Sequence, residues 1–180
     1  MNPTSESGYR YERKSYISNK SLADVEYFIK HHYAIFSEIY KERLVNNIYF
    51  DSIGLSNFHN NIDGLKDRIK VRIRWYGKLF GIVEKPTLEI KIKNGALGKK
   101  ISVLMPSFQL DSRSGISNLL FENLNLNNCL KLYLKSLKPL LMNQYLRKYY
   151  RSIDENFRIT VDRNQIYYRI DENHNLFLNK

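Results

Sequence analysis

The sequence is poor in cysteine, glycine and proline, lacks any long apolar run, and is short of carboxylates. Cys129 stands alone, which excludes an internal disulfide. Its setting between Leu126 and Leu134 reads as an apolar helix face, so a buried structural thiol is expected. Eight glycines and four prolines in 180 residues form no linker, low-complexity tract or internal repeat, and one domain is expected. No apolar stretch approaches the roughly 20 residues that a membrane-spanning helix requires. Met1 to Gly8 is short, polar and unlike a signal peptide, which predicts a flexible N-terminus and a cytoplasmic location. A membrane-anchored context outside this segment stays open.

Chemistry that depends on missing motifs is excluded in the same way. No Gly-rich loop ends in Gly-Lys-Ser/Thr, so a nucleotide would be held by strand side chains and not by a helix N-terminus. His59 and His174 lie alone, without Cys or His partners at zinc spacing. His31-His32 closes a helix, where cations suit the dipole, and reads as surface.

What is abundant is positive charge: 29 Lys and Arg against 18 Asp and Glu give a net charge of +11, which predicts a negative partner. With 43% hydrophobic residues, among them 14 Tyr and 9 Phe, the chain can bury a core and is not disordered as a whole. The charge is patterned. Lys70, Arg72, Arg74 and Tyr76 alternate with Ile69, Val71, Ile73 and Trp75, so a strand over 68–76 carries cations on one face and core residues on the other. Two like charges about 4 Å apart near a protein surface repel by roughly 4 kcal/mol. Such a row needs an anion or carboxylates beside it.

Strands are also predicted over 9–17, 44–50, 88–93, 99–104, 140–153, 157–161 and 166–170. Asn94-Gly95 and Asp162-Arg163-Asn164 read as turns. Ser21-Leu22-Ala23-Asp24 is a capping signature that opens a helix to about His32. A short helix or turn over 57–64 closes on glycine, 107–117 reads as a polar loop, and 118–137 as two short helices. The fold class is α+β, dominated by antiparallel strands. The polar pattern recurs: Arg10, Glu12 and Lys14 share a face of the first strand, Glu89, Lys91 and Lys93 of the fourth, and Arg158, Thr160 and Asp162 of a late one. Two architectures fit that pattern. An open sheet would turn the charged faces to solvent, whereas a closed antiparallel barrel would line a lumen with them and cover its outer face with helices.

The segments Tyr11-Glu12-Arg13-Lys14, Asn47-Ile48-Tyr49-Phe50-Asp51, Asn61-Ile62-Asp63-Gly64 and Lys70-Val71-Arg72-Ile73-Arg74-Trp75-Tyr76-Gly77 occur in that order. Leu88-Glu89-Ile90-Lys91, Tyr149-Tyr150-Arg151 and Phe157-Arg158-Ile159-Thr160-Val161-Asp162 follow. Together they resemble the VTC domain, the polyphosphate polymerase branch of the CYTH-like triphosphate tunnel proteins, over about residues 9–170. The resemblance implies one tunnel domain over 9–180, an antiparallel barrel whose basic lumen holds a polyphosphate or nucleoside triphosphate. It further implies transfer of the ATP γ-phosphoryl group to a polyphosphate chain, with a Mg or Mn ion held by carboxylates. Lys14, Arg72, Arg74, Lys91, Arg151 and Arg158 would be the catalytic, phosphate-contacting cations, and Glu12 and Glu89 the metal candidates. For each glutamate an ion-pair role beside the lysines competes with ligation.

Phosphoryl transfer makes such a set sensible, since it asks for charge neutralisation and in-line positioning more than for covalent help. Arginine forks match phosphate oxygens in pairs, and lysines add point charge. One departure stands out: the family's final strand with a Glu-x-Lys signature is not found after Ile170, where Asp171 to Lys180 shows no strand pattern. Either the segment stops short of that strand or the catalytic set is incomplete. A silent polyphosphate-binding domain and a triphosphate hydrolase on the same scaffold are therefore alternatives. A nucleic-acid module is not expected, because its cations belong in an exposed groove interleaved with stacking rings.

Overall fold

A computed structural model describes residues 12–95, 97–111, 121–170 and 177–179. Among them lie three helices, α1 (Leu22–Lys30), α2 (Ser56–Ile62) and α3 (Asn128–Lys135). Nine strands accompany them: β1 (Ser37–Asp51), β2 (Arg68–Tyr76), β3 (Gly81–Val83), β4 (Thr87–Asn94), β5 (Leu97–Leu104), β6 (Phe108–Leu110), β7 (Lys138–Arg151), β8 (Arg158–Ile170) and β9 (Phe177–Asn179). Seven strands order as β5-β4-β2-β1-β7-β8-β9, and β3 pairs with β6 in a separate ribbon. The α+β class and the antiparallel pairing of the sequence reading hold. In that order β5 and β9 are outermost, and among the described residues no pairing joins them into a closed barrel.

The chain divides into two compact units. The first comprises Met1–Glu42 and Arg147–Val161. Its helix α1 starts where the capping signature places it: the Ser21 side chain accepts from the Asp24 amide while the Asp24 carboxylate accepts from the Ser21 amide. Val25 and Ile29 of α1 pack with Ala34, Phe36, Tyr150, Ile159 and Val161, and Glu26 pairs with Lys148. The expected first strand is corrected: residues 12–17 form no regular structure, and residues 9–11, with Arg10, lie outside the described residues. Alternation suggested a strand there, but a strand also needs one buried face, and Tyr16 and Ile17 are exposed. The turn at Asp162-Arg163-Asn164 is corrected too, because β8 runs unbroken through it. Asn164 absorbs the turn signal by adopting a left-handed φ of 53°, which asparagine tolerates better than most residues.

The second unit comprises Arg43–Leu146 and Asp162–Lys180. Strand β2 spans the predicted residues, with Val71, Ile73 and Trp75 buried. Their face meets Ile48 and Phe50 of β1, Leu88 and Ile90 of β4, Met142 of β7, and Leu134 of α3 in one core. The apolar side of the basic strand is thus covered by a helix. Cys129 corrects the buried-thiol expectation: it is exposed, because α3 buries Leu134 and packs Leu130 and Tyr133, a face beside the cysteine. The loop over 107–117 contains β6, and its residues 112–117 lie outside the described residues, as do 118–120 of the predicted helices. A short strand, β9, does follow Ile170 and pairs with β8, correcting the strandless tail; Glu172 and His174 lie outside the described residues.

Helix α2 has an unusual start. Its N-cap residue, Leu55, is left-handed at φ 55° and supplies no side-chain cap. Asp51, at the end of β1, accepts from the amides of Asn57 (2.9 Å) and Phe58 (2.9 Å), and also of Ser52 (2.7 Å). Only 5% exposed, the carboxylate joins strand end to helix start. Asp51→Ala is expected to cost about 1–2 kcal/mol, since it removes the cap of α2 and leaves three partly buried amide donors without that acceptor. Denaturant unfolding checks this; a loss below about 0.5 kcal/mol, the scale of an ordinary surface change, would contradict it.

Candidate anion-binding site

Register decides which side chains of the second unit share a face. Across β2 and β4, Arg68 opposes Lys93, Lys70 opposes Lys91, and Arg72 opposes Glu89. Across β4 and β5, Lys91 opposes Lys100. Across β1 and β2, Asn47 opposes Arg74 and Tyr49 opposes Arg72. Directly opposed residues point to the same side of a sheet. One face of three neighbouring strands therefore carries Arg68, Lys70, Arg72, Arg74, Lys91, Lys93 and Lys100. Glu89 is the one carboxylate those three strands supply.

Glu89 organises the centre of that row. Its Oε2 accepts from Nε of Arg72 at 2.7 Å, and Nη2 of the same guanidinium lies 2.5 Å away. Its Oε1 accepts from Nζ of Lys100 at 2.6 Å, with Nη1 of Arg74 at 3.7 Å. The Glu89 side chain is only 7% exposed, whereas that of Lys100 is 49% exposed. Burial opposes ionisation of Glu89, but the Lys100 hydrogen bond, followed by the charges of Arg72 and Arg74, outweighs it and holds the carboxyl down at about 2.

The two arginines are braced from β1 as well. Arg72 donates from Nη1 to the Tyr49 hydroxyl at 3.3 Å, and Arg74 donates from Nε to Oδ1 of Asn47 at 2.9 Å. Asn47 in turn donates to Oδ1 of Asn143 on β7 at 2.9 Å. The Asn47-Ile48-Tyr49-Phe50-Asp51 segment is thereby explained residue by residue. Asn47 and Tyr49 brace the arginines, Ile48 and Phe50 fill the core, and Asp51 starts α2. Arg72 and Arg74 are side chains of fixed orientation, as bidentate anion recognition requires.

Of the residues expected from the sequence, the second unit brings Arg72, Arg74, Glu89 and Lys91 onto one face. Lys100, Asn47, Tyr49 and Asn143 join them unforeseen. Lys100 could have been found from alternation along β5, which places it opposite Lys91; Asn47 and Tyr49 stand in a segment that carries the family resemblance but with no role read from it, and Asn143 has no signal beyond its position in a strand. In the first unit Lys14 and Glu12 are exposed and lie 3.6 Å apart. Arg151 is paired with Glu155 at 3.0 Å, and Arg158 is exposed at the start of β8.

Both Glu89 oxygens accept from protein cations, Arg72 and Lys100, and Glu12 lies beside Lys14 in the first unit. Among the described residues no group of three or more His, Cys, Asp or Glu side chains is placed to hold a metal. Among the same residues no helix is long and apolar enough to cross a membrane.

The second unit is thus an antiparallel α+β assembly that presents two braced arginines within a cationic strand face. The chain matches the family model of the VTC domain over residues 9–179, and it belongs to that family. VTC domains are associated with polyphosphate, and with polyphosphate polymerases in particular. No curated protein matches the chain at significant similarity.

Proposed function

We propose that this chain is a polyphosphate polymerase-type domain, which binds a phosphate chain along the cationic face and extends it with the γ-phosphoryl group of ATP. The observation that carries the reading is the Arg72–Arg74 pair, braced by Glu89, Tyr49 and Asn47 within a row of lysines. A triphosphate or polyphosphate repeats negative oxygens at short intervals, and rows of cations on adjacent strands match that repeat better than they match one isolated anion. The basic tunnel of the family belongs to this proposal. So does a phosphate-contacting role for Arg72, Arg74 and Lys91, and for Lys14, Arg151 and Arg158, each to be tested by its own variant.

In this reading the cations hold the terminal phosphate and the ATP γ-phosphate against mutual repulsion. Arginine forks fix the equatorial oxygens, and lysines neutralise charge as it shifts to the leaving β-phosphate. A second reading, polyphosphate binding without turnover, is favoured by the engagement of both Glu89 oxygens by protein cations.

Incubation with ATP and Mn²⁺, followed by detection of ADP and of long-chain polyphosphate on a gel, tests the proposal. ADP together with polymer is the expected result. Orthophosphate without polymer would assign a hydrolase. Tripolyphosphate binding without turnover would leave the silent reading, and neither binding nor turnover would overturn both.

A further inference from the structure

The carboxylate at the centre of the row does more than fill a gap between cations. Arg72 uses Nε and Nη2 on Glu89 and Nη1 on Tyr49. A guanidinium has five N–H groups, so two, on the Nη nitrogens, remain for another acceptor. Glu89 closes one edge of the fork and leaves the other to be presented. Lys100 is held differently: it reaches Oε1 through a single ammonium, and its side chain is half exposed. The carboxylate therefore clamps a partly buried arginine through two nitrogens and holds an accessible lysine through one. An anion approaching the face would find Arg72 already aimed and Lys100 within reach from solvent.

We propose that Glu89 is the internal counter-anion of the cationic row, a positioning residue that keeps Arg72, Arg74 and Lys100 together when no phosphate is bound and lowers the row's affinity for phosphate chains. The inference rests on the phosphate-binding reading above and assigns Glu89 a role other than metal ligation. Two effects of removing its charge compete. Orientation of Arg72 is loosened, which weakens binding, while one negative charge in contact with the ligand-binding cations is lost, which strengthens it. Glu89→Gln keeps the side-chain length and one oxygen acceptor, so the orientation loss is partial and the charge loss complete. The charge effect wins.

Calorimetric titration with tripolyphosphate in metal-free buffer tests this on wild type and E89Q. The expected result is about tenfold tighter binding by E89Q, equivalent to about 1.4 kcal/mol, with a lower unfolding temperature in the absence of ligand. Binding that is unchanged or weaker in E89Q overturns the inference. A difference that appears only when Mn²⁺ is added also overturns it, because it would make Glu89 a metal ligand. If E89Q does not fold, Glu89→Asp decides: the shorter side chain withdraws from Lys100, and at least threefold tighter binding is expected, against unchanged or weaker binding if the inference is wrong. A wild type that fails to bind tripolyphosphate would instead overturn the phosphate-binding reading, and this inference with it.

Discussion

Arg74→Ala is expected to weaken tripolyphosphate binding about a hundredfold, or about 2.7 kcal/mol, which is the scale of charge-assisted hydrogen bonds from one guanidinium. Its Nε already donates to Asn47 and its Nη1 lies 3.7 Å from Glu89, a distance that leaves this end of the fork lightly engaged. The fold should lose about 1–2 kcal/mol, because the buried Asn47 oxygen is left without that donor. Calorimetry for binding and thermal unfolding for stability separate the two effects. Affinity within threefold of wild type would remove Arg74 from the site. Arg72→Ala makes a poorer first test, since it takes two nitrogens off a carboxylate that is nearly buried and so disturbs the fold along with binding.

The second large effect is acid destabilisation centred on Glu89. Its folded-state value, about 2, lies below its ordinary value of 4.5. A depressed carboxyl contributes stability that is present above its unfolded value and is lost as pH falls through the folded one. The contribution should therefore be complete above about pH 5 and disappear between about pH 4.5 and 2. At about 1.4 kcal/mol for each pH unit, the whole window amounts to about 3.5 kcal/mol, of which about 2 kcal/mol is lost by pH 3. Urea unfolding at pH 5.5 and pH 3 measures it, with E89Q as the control in which this part of the slope is missing. An identical slope in wild type and E89Q would show that the ion-pair cluster does not supply the acid sensitivity.

How much could be read from the residues depended on how many faces of an element are buried. Strand β2 was legible to its ends because a full run of apolar residues alternates with cations and one face is core. Strand β1 was visible only from Leu44 onward. Its earlier part, Ser37 to Arg43, is largely exposed and offers little hydrophobic alternation. The opposite error occurred at Glu12 to Ile17, where alternation exists without burial. Within the site, Arg72 and Arg74 were legible because they alternate along one strand. Their supports were not: Asn47 and Asn143 are 96 residues apart, and nothing local marks them as partners. Glu89 was recognised as a functional candidate with both of its roles in view, and geometry favours the ion pair.

The misread thiol has a practical side. A chain with one cysteine, turned outward on α3, can carry one dye at one known place without prior engineering. The same helix packs Leu134 into the core beneath the basic strand, so a fluorophore on Cys129 is anchored to the rear wall of the candidate site. Its anisotropy on addition of polyphosphates of graded length would then report growth in the size of the complex, turning an inert side chain into a molecular ruler for the bound polymer.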